Sequence, residues 1–271
     1  MPDEIEARDE GRGTPVPPWV VRLRERALAP PLRPRGSLYV SGSRVPFGSV
    51  EPALAQRMAD AGLPLRRVDA EWQVDAPLAT ALERMARWLA ADLPALRWRD
   101  EQLPVLDDAG APLGRIERCV VRALGIATHA VHLVGETADD RVWVQQRALD
   151  KAVDPGRWDT TMGGLMAAGE TVATTLERET WEEAGLRLAQ LDRLAGFGTL
   201  TVRRPVADGY MVEHIHCFAA CVPGGLEPVN QDGEVLRFEV LDRSDLEARL
   251  SDGAFTVEAA LVLLRWLDTR R

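Results

Sequence analysis

The chain has 271 residues, a formal net charge of −9 at pH 7 and three cysteines. Its acidity disfavours nucleic acid as a main partner, because phosphate backbones select basic surfaces. The sequence contains no apolar run of about 18 residues that would predict a membrane span. An odd number of cysteines argues against a disulfide framework, and the acidic, Pro-rich start is unlike a targeting peptide. We therefore expect a cytoplasmic protein of one or two domains, and a homodimer is compatible with the composition.

The first part of the chain alternates short predicted helices and strands. Residues 1–30 are expected to form a flexible acidic, Pro-rich tail that ends in a short helix over 19–28. The elements expected next are a hairpin over 38–50, a helix over 51–63, a strand over 65–75, a helix over 77–94, short strands around 96–100 and 103–107 with a turn at 107–110, and a helix over 116–124. Residues 31–125 are therefore predicted to form a small α+β module.

Residues 126–271 have a different pattern of elements. The elements expected in chain order are strands over 129–136 and 141–148, a loop and helix over 164–186, strands over 186–205 and 210–222, a turn-rich loop over 222–235, a strand over 236–241, and helices over 244–250 and 256–268. This order predicts an α/β domain with a mixed sheet and helices on both faces. Cys217 and Cys221 lie about 13 Å apart along one predicted strand, too far for a disulfide.

The segment 164–186 reads GLMAAGETVATTLERETWEEAGL and predicts a helix with three clustered carboxylates. Thr171 is expected to cap its start and Gly185 to end it in the left-handed region. Glu179, Glu182 and Glu183 fall within about 100° of the helix circumference, where like charges destabilise each other.

A solvated acidic face is the alternative explanation for these three carboxylates. However, no Lys is interleaved among them, and Arg178 points elsewhere on the helical wheel, so it cannot neutralise all three. A Gly-rich loop leads directly into the helix. A hard divalent cation such as Mg²⁺, which prefers carboxylates shared with substrate phosphate, removes the repulsion.

The same segment resembles the Nudix box, which is defined by residues at fixed spacing: Gly164, Glu170, Arg178, Glu179, Glu182, Glu183, Gly185 and Leu186. The resemblance implies the α/β/α Nudix sandwich and hydrolysis of a diphosphate with Mg²⁺ or Mn²⁺. It implies that Glu179, Glu182 and Glu183 are the metal ligands, with the Gly164 carbonyl as a further ligand. Glu170, Arg178 and Gly185 would be structural. Thr180 departs from the pattern, since the family usually has an aliphatic residue there.

The flanking segments 143–170 and 230–241 resemble the Nudix branch related to the N-terminal half of fungal thiamine pyrophosphokinases. Segments 41–58 and 117–136 resemble the module that precedes the Nudix domain in that branch. The resemblance implies hydrolysis of thiamine diphosphate or its oxidised analogues. The alternatives are a nucleoside- or sugar-diphosphate hydrolase and a non-catalytic ligand sensor, although sensors typically lose box carboxylates. Isopentenyl diphosphate isomerase is also similar, but its Cys is replaced here by the stretch Thr160-Thr161-Met162.

Four residues outside the box are further candidates for the site. Glu234 lies in the turn-rich loop, from which Nudix enzymes often recruit a metal ligand or base, and the alternative is a surface turn acid. Either Glu179 or Glu234 is expected to take the proton from water. Gln145, Arg147 and Lys151 flank the loop before the box and are expected to bind substrate, with the two cations holding phosphate. Ordinary exposed loop charges are the alternative.

The strand over 210–222 carries polar residues on both faces. Glu213 shares its face with apolar residues and therefore needs a partner, which could be a metal, a cationic substrate or, the favoured choice, an Arg. His214 and His216 alternate on the other face. Half-buried histidines are favoured there, contact with substrate phosphate is the next choice, and a metal site is the least favoured because no third ligand is nearby. Trp158 is expected to be a core residue rather than a stacking platform.

Overall fold

A computed structural model describes residues 15–75, 77–107 and 110–270. The tail predicted over residues 1–14 lies outside this range. The first described element is the helix α1 (Pro18–Ala27), which confirms the helix predicted at 19–28 and has Pro18 in its first turn, where the missing N–H is not needed. Two of its three buried residues, Leu23 and Ala27, pack in the same core cluster as the C-terminal helix of the chain.

The segment from 36 to 117 contains a four-stranded sheet, a two-stranded sheet and two helices. Its elements are β1 (Gly36–Val40), β2 (Pro46–Val50), α2 (Pro52–Asp60), β3 (Leu65–Val68), β4 (Glu71–Val74), α3 (Leu78–Asp92), β5 (Gln102–Leu106) and β6 (Pro112–Glu117). The four-stranded sheet has the order β2-β1-β4-β3, and β1 and β4 are parallel. The α3 face predicted to be apolar is buried, and these residues share one core with the sheet.

Three predictions in this segment are wrong. Residues 65–75 form a hairpin rather than one strand, because Asp69 adopts φ 55° and turns the chain. Residues 96–100 do not form a strand, and only the neighbouring β5 pairs, with β6. Residues 116 and 117 belong to β6, so the helix predicted over 116–124 is reduced to a single 3₁₀ turn at Arg118–Val120.

The remaining elements surround a seven-stranded mixed sheet. They are β7 (Ala127–Glu136), β8 (Val142–Arg147), β9 (Trp158–Asp159), β10 (Met162–Leu165), α4 (Val172–Ala184), β11 (Asp192–Val206), β12 (Gly209–Cys221), β13 (Val235–Leu241), α5 (Arg243–Ser251) and α6 (Val257–Asp268). The strand order is β11-β12-β7-β8-β13, with β10 beside β7 and β9 beside β8. Only the β12–β7 pair is parallel among these named strands.

Two core clusters cover the two faces of this sheet. One face packs against α5, α6 and α1, and the other packs against α4. The result is the predicted α/β/α sandwich, preceded by a small α+β segment. Cys217 and Cys221 are free and buried, as expected from their spacing. Among the described residues, no helix is long and apolar enough to cross a membrane.

The start of the strand predicted over 186–205 is also wrong. Residues 186–191 contain a 3₁₀ turn at Leu188–Gln190, and β11 begins only at Asp192. Leu186 and Leu191 are instead buried beneath α4. This apolar pair closes the core that supports the helix, so these residues are not available for the sheet.

Candidate functional site

The helix α4 begins and ends where the sequence predicts. The side chain of Thr171 accepts a hydrogen bond from the Thr174 backbone N–H at 3.2 Å, which caps the first turn. Gly185 ends the helix with φ 64°, a conformation that glycine adopts without steric cost. The helix therefore presents its carboxylates from a defined start and end.

An ion pair holds the loop before α4 against the helix. Arg178 donates to both carboxylate oxygens of Glu170, from Nε at 2.6 Å and from Nη2 at 2.9 Å. The same Nη2 donates to the Leu165 carbonyl at 3.1 Å, so Arg178 also ties the helix to β10. These bonds lower the pKa of Glu170 to about 2. Glu170 is therefore ionised at any pH near neutrality and serves the architecture of the loop.

Two glycines in β10 allow the strand to approach buried polar groups. A Cβ on Gly164 would lie 1.9 Å from the carboxyl carbon of Glu179, so a larger residue would displace that carboxylate. A Cβ on Gly163 would lie 2.7 Å from the ring of His132. The Gly164 backbone is thus packed directly against Glu179, and glycine at this position leaves room for that carboxylate.

Arg178 contacts two of the three box carboxylates and not the third. Its Nη1 donates to Glu179 at 2.8 Å and to Glu182 at 2.9 Å. Its long side chain reaches these groups although its Cα lies elsewhere on the helical wheel. Glu182 remains 42% exposed, whereas Glu179 is largely enclosed. Burial raises the pKa of Glu179 above its ordinary value, against the opposing effect of Arg178.

Glu183 is the most buried carboxylate of the box, with 2% of its side chain exposed. One of its oxygens accepts hydrogen bonds from the Gly163 N–H at 2.9 Å and from Gln145 Nε2 at 2.8 Å. The nearest cation is Lys151, whose Nζ lies 4.0 Å from the other oxygen. Burial, together with the neighbouring charge of Glu179, raises the pKa of Glu183 to about 7. The site therefore disfavours a second negative charge unless a cation is added.

The donor set fits a hard divalent cation. Within the described residues, no three His, Cys, Asp or Glu side chains are arranged so that they could hold a metal as they stand. Arg178 bridges Glu179 and Glu182, so these two carboxylates already share one positive charge. The buried Oε1 of Gln145 has no hydrogen-bond partner, and water on a cation would supply one. Carboxylate and carbonyl oxygens are the ligands that Mg²⁺ prefers.

The other predicted site residues lie at different depths. Lys151 forms an ion pair with Glu234, and both line the same cleft as the box. Burial lowers the pKa of Lys151. Arg147 also lines the cleft, but it is held by Asp159 at 3.2 Å and by the Val153 carbonyl at 3.1 Å. Gln145 is 1% exposed and, instead of lining the cleft, fixes the carboxylate of Glu183.

Sequence reasoning missed a buried polar group beneath the box. His132 Nδ1 lies 2.9 Å from the hydroxyl of Thr160, which donates its own proton to the Met162 carbonyl. A hydroxyl has one proton, so His132 must be the donor in this pair. Asp159 lies 3.6 Å from the same nitrogen, yet burial dominates and lowers the pKa of His132. Only the alternation of β7, which places His132 opposite Gly163, could have indicated this contact.

The stretch that replaces the isomerase cysteine is part of the fold. Thr161 is completely buried, donates to the Trp143 carbonyl at 2.6 Å and accepts from the Gly135 N–H at 2.7 Å. Trp158 is buried in a core cluster, as expected, and the guanidinium of Arg249 lies 4.6 Å from its ring centre. These hydroxyls and this ring therefore contribute to packing.

Three histidine rings lie close together on the α4 side of the sheet. The His129 ring lies 5.2 Å from the His214 ring and 5.8 Å from the His216 ring. Burial and the two neighbouring rings lower the pKa of His129 to about 4, so it is neutral near pH 7. These are the half-buried histidines that the sequence favours.

The box opens into a cleft of about 640 Å³ between the sheet and the N-terminal segment. The floor includes His132, Met211 and Glu213 from the sheet, and one wall carries Glu179, Glu182 and Glu183. The opposite wall comes from the segment before residue 126, through residues such as Gln102 and Arg122. The N-terminal segment therefore completes the cleft.

Comparison with known proteins agrees with this geometry. The sequence profile of the NUDIX domain matches residues 126–261, half of the chain. A Nudix hydrolase of Pseudomonas aeruginosa is 36% identical over 107 residues, which cover 40% of this chain and 59% of that protein. An isopentenyl-diphosphate Delta-isomerase of Leifsonia xyli is 30% identical over 133 residues, which cover 47% of this chain and 70% of that protein.

A third relative matches beyond the Nudix domain. Nudix hydrolase 20, chloroplastic, of Arabidopsis thaliana is 27% identical over 174 residues. The match covers 62% of this chain, more than residue 126 to the end could supply, and 46% of that protein. The chain thus spans about half the length of this relative. From the profile match, together with the box and the α/β/α sandwich that carries it, the chain belongs to the Nudix family.

Proposed function

We propose that this protein is a metal-dependent hydrolase that cleaves a diphosphate linkage. The observation that carries the proposal is the position of Glu183. It is a buried carboxylate that lies beside Glu179, opens on a cleft, and has its nearest cation 4.0 Å away. Nudix proteins generally act on small-molecule diphosphates with Mg²⁺ or Mn²⁺, and a cation would stabilise the ionised form of both carboxylates.

In this proposal the box residues divide into ligands and supports. Glu179, Glu182 and Glu183 would hold Mg²⁺ or Mn²⁺, with the Gly164 carbonyl as a further ligand. The ion would supply charge stabilisation for the phosphates and a lowered pKa for water bound to it. Binding of the ion would require the Arg178 guanidinium to release Glu179 and Glu182, and its two hydrogen bonds to Glu170 would still hold the loop.

In the proposed reaction, the ion pair between Lys151 and Glu234 would be broken when substrate binds. Lys151 lies between Glu183 and Glu234. An arriving phosphate group would compete with the Glu234 carboxylate for the ammonium group of Lys151. Glu234, which is 50% exposed, would then be released to accept a proton from water. Glu179 is the alternative base, although it already accepts from Arg178 at 2.8 Å. Arg147 adds positive charge at the edge of the cleft.

For the substrate, we propose thiamine diphosphate or its oxidised analogues. The resemblance of the segments on both sides of the box supports this choice, as does the N-terminal module that completes the cleft. The alternative is a nucleoside- or sugar-diphosphate, which the same box would also cleave. The isomerase reaction is not proposed, because the Thr160-Thr161-Met162 stretch offers hydroxyls that are already engaged in the fold.

We also propose that the chain divides near residue 125 into two domains. Residues 31–125 have their own core, built around α3 and the four-stranded sheet. Residues 126–271 carry the seven-stranded sheet and the box. The helix α1, expected to belong to a separate tail, packs with the second domain instead.

A phosphate-release screen tests the proposed reaction. Purified protein would be assayed with thiamine diphosphate, its oxo analogue, ADP-ribose, NADH and nucleoside triphosphates, each with Mg²⁺ and with excess EDTA. We expect turnover of at least one diphosphate in Mg²⁺ and none in EDTA. Full activity in EDTA would contradict the proposed mechanism, and absence of turnover with tight metal-dependent binding would favour the ligand sensor.

A further inference from the structure

The floor of the cleft contains more carboxylates than its arginines can neutralise. Three arginines line this part of the cleft, and each has its own acidic partner. Arg118 pairs with Glu101 at 2.6 Å, and Arg122 pairs with Asp208 at 3.3 Å. The third pair joins Arg204 and Glu258 at 3.1 Å and is largely buried. A fourth carboxylate, that of Glu213, remains after these pairs are formed.

Glu213 receives one weak donor from the protein. The hydroxyl of Thr128 on the adjacent strand donates to one of its oxygens at 3.0 Å. That hydroxyl also lies 3.3 Å from the Val212 carbonyl, so the donor is shared. Within residues 15–75, 77–107 and 110–270, Glu213 forms no ion pair, in contrast to the Arg partner that the sequence favours.

The surroundings of Glu213 penalise its negative charge. Its neighbours on the same strand face, Met211 and Ile215, are buried apolar residues. Burial, followed by the nearby charge of Glu258, raises the pKa of Glu213 to about 7. Glu213 lines both the cleft and a smaller adjoining cavity. A carboxylate of this kind is stabilised by a donor or cation, and the cleft gives such a group access to it. The phosphates cannot fill that role, because they carry the same charge.

We propose that Glu213 accepts a hydrogen bond from the exocyclic amino group of a nitrogen heterocycle at the organic end of the substrate, while the box holds the diphosphate. This inference rests on the proposed function. An exocyclic amino group donates N–H to the acceptor oxygens of a carboxylate, and a charge-assisted hydrogen bond of this kind is stronger than a neutral one. Aminopyrimidine and guanine edges both carry such an amino group, and a ring in which it is replaced by oxygen or hydrogen has no donor at that position.

The test compares substrate pairs that differ at this edge. One pair is thiamine diphosphate and oxythiamine diphosphate, in which a carbonyl replaces the amino group. The other pair is GDP and IDP, which lacks the exocyclic amino group. Methyl diphosphate, which has no ring, reports on the box alone. The variant is Glu213→Gln, and Glu101→Gln is the matched control because Glu101 lines the same cleft but already has an Arg partner.

In wild-type protein we expect kcat/KM for the amino member of at least one pair to exceed that of its partner by about 10- to 100-fold, the range for a hydrogen bond to a charged group. Glu213→Gln should reduce this preference, because its amide is uncharged and can turn its oxygen toward an amino group or its NH₂ toward a carbonyl, and methyl diphosphate turnover should not change. Glu101→Gln should retain the preference. Thermal unfolding should show that Glu213→Gln is at least as stable as wild type.

Equilibrium titration of the same pairs in EDTA separates the two hypotheses. If no diphosphate is hydrolysed but the amino members still bind more tightly through Glu213, the proposed function fails and the inference holds. If methyl diphosphate is cleaved but Glu213→Gln leaves the ratio within each pair unchanged, the inference is wrong and the hydrolase stands. Equal loss of affinity for both members of each pair would also overturn it.

Discussion

Replacing Glu183 by Gln should stabilise the metal-free protein while it removes activity. The pKa of Glu183 rises from 4.5 to about 7 on folding. At about 1.4 kcal/mol per pKa unit, the ionised carboxylate destabilises the folded state by about 3 kcal/mol. Glutamine keeps the hydrogen bonds, because the N–H groups of Gly163 and Gln145 both donate to the same oxygen of Glu183. The amide carbonyl can replace that oxygen, and the amide NH₂ faces Lys151, 4.0 Å away.

The sign of the pH dependence follows from the raised pKa. An acid whose pKa is higher in the folded state binds more protons when folded, so its contribution favours folding at low pH and is lost as the pH rises through about 7. We therefore expect the free energy of unfolding of Glu183→Gln to exceed that of wild type by about 3 kcal/mol at pH 8 and by about 1 kcal/mol at pH 5. For a chain of this size, the difference at pH 8 corresponds to a rise in Tm of about 6–12 °C.

Thermal and urea unfolding in EDTA, at pH 5 and pH 8, measure this difference. Glu182→Gln is the matched control, because Glu182 is 42% exposed and its removal should change stability by no more than about 1 kcal/mol. Adding Mg²⁺ should raise the Tm of wild type and have a smaller effect on Glu183→Gln. Two results would contradict this prediction: a Glu183→Gln variant that is less stable than wild type at pH 8, or a stability difference that is not smaller at pH 5. Either result would mean that burial does not destabilise the ionised carboxylate of Glu183.

Three further predictions concern metal, backbone and substrate. Hydrolysis should require Mg²⁺ or Mn²⁺, measured as phosphate release after metal is restored to EDTA-treated protein. Glu182→Gln or Glu183→Gln should lower kcat by about 100-fold or more in the same assay. Wild-type rates in both variants would place the site elsewhere. Gly164→Ala should lower both Tm and activity, because its Cβ would collide with the Glu179 carboxylate, whereas Gly224→Ala, with open space around it, should behave as wild type. Thiamine diphosphate analogues should have a higher kcat/KM than nucleotides or sugar nucleotides, and an advantage of about tenfold for either of these would reject the thiamine proposal but not the hydrolase.

The box could be predicted from sequence because its geometry is local. The cap at Thr171, the stop at Gly185 and the carboxylate spacing all lie within one loop and one helix, where helical periodicity fixes the arrangement. The supports of the site are not local. Gln145 reaches Glu183 across 38 positions of the chain, and this contact depends on sheet order. Sequence periodicity shows that Glu213 shares a face with apolar residues, but only the tertiary structure shows which arginines are already paired.

The failed strand and helix predictions have the same origin. Residues 96–100 and 116–124 have short apolar patterns that fit either element, and the outcome depends on which neighbour offers a hydrogen-bonding edge. Residues 116 and 117 pair with β5, whereas 96–100 find no partner strand. The hairpin at 65–75 depends on one Asp that adopts a left-handed conformation, which alternation alone does not reveal.

Because α1 packs against the second domain, the N-terminal segment is attached to that domain at both of its ends. Before that segment, Leu23 and Ala27 are anchored in the core beside α6, and the Tyr210 hydroxyl donates to the Ala29 carbonyl at 3.2 Å. After it, the chain enters β7 in the middle of the sheet. Two attachment points restrict rigid-body rotation of this wall of the cleft more than a single hinge would. A fragment that begins at residue 126 would lose that wall and would also expose the apolar surface under α1. We therefore expect it to be less soluble and less active than the whole chain.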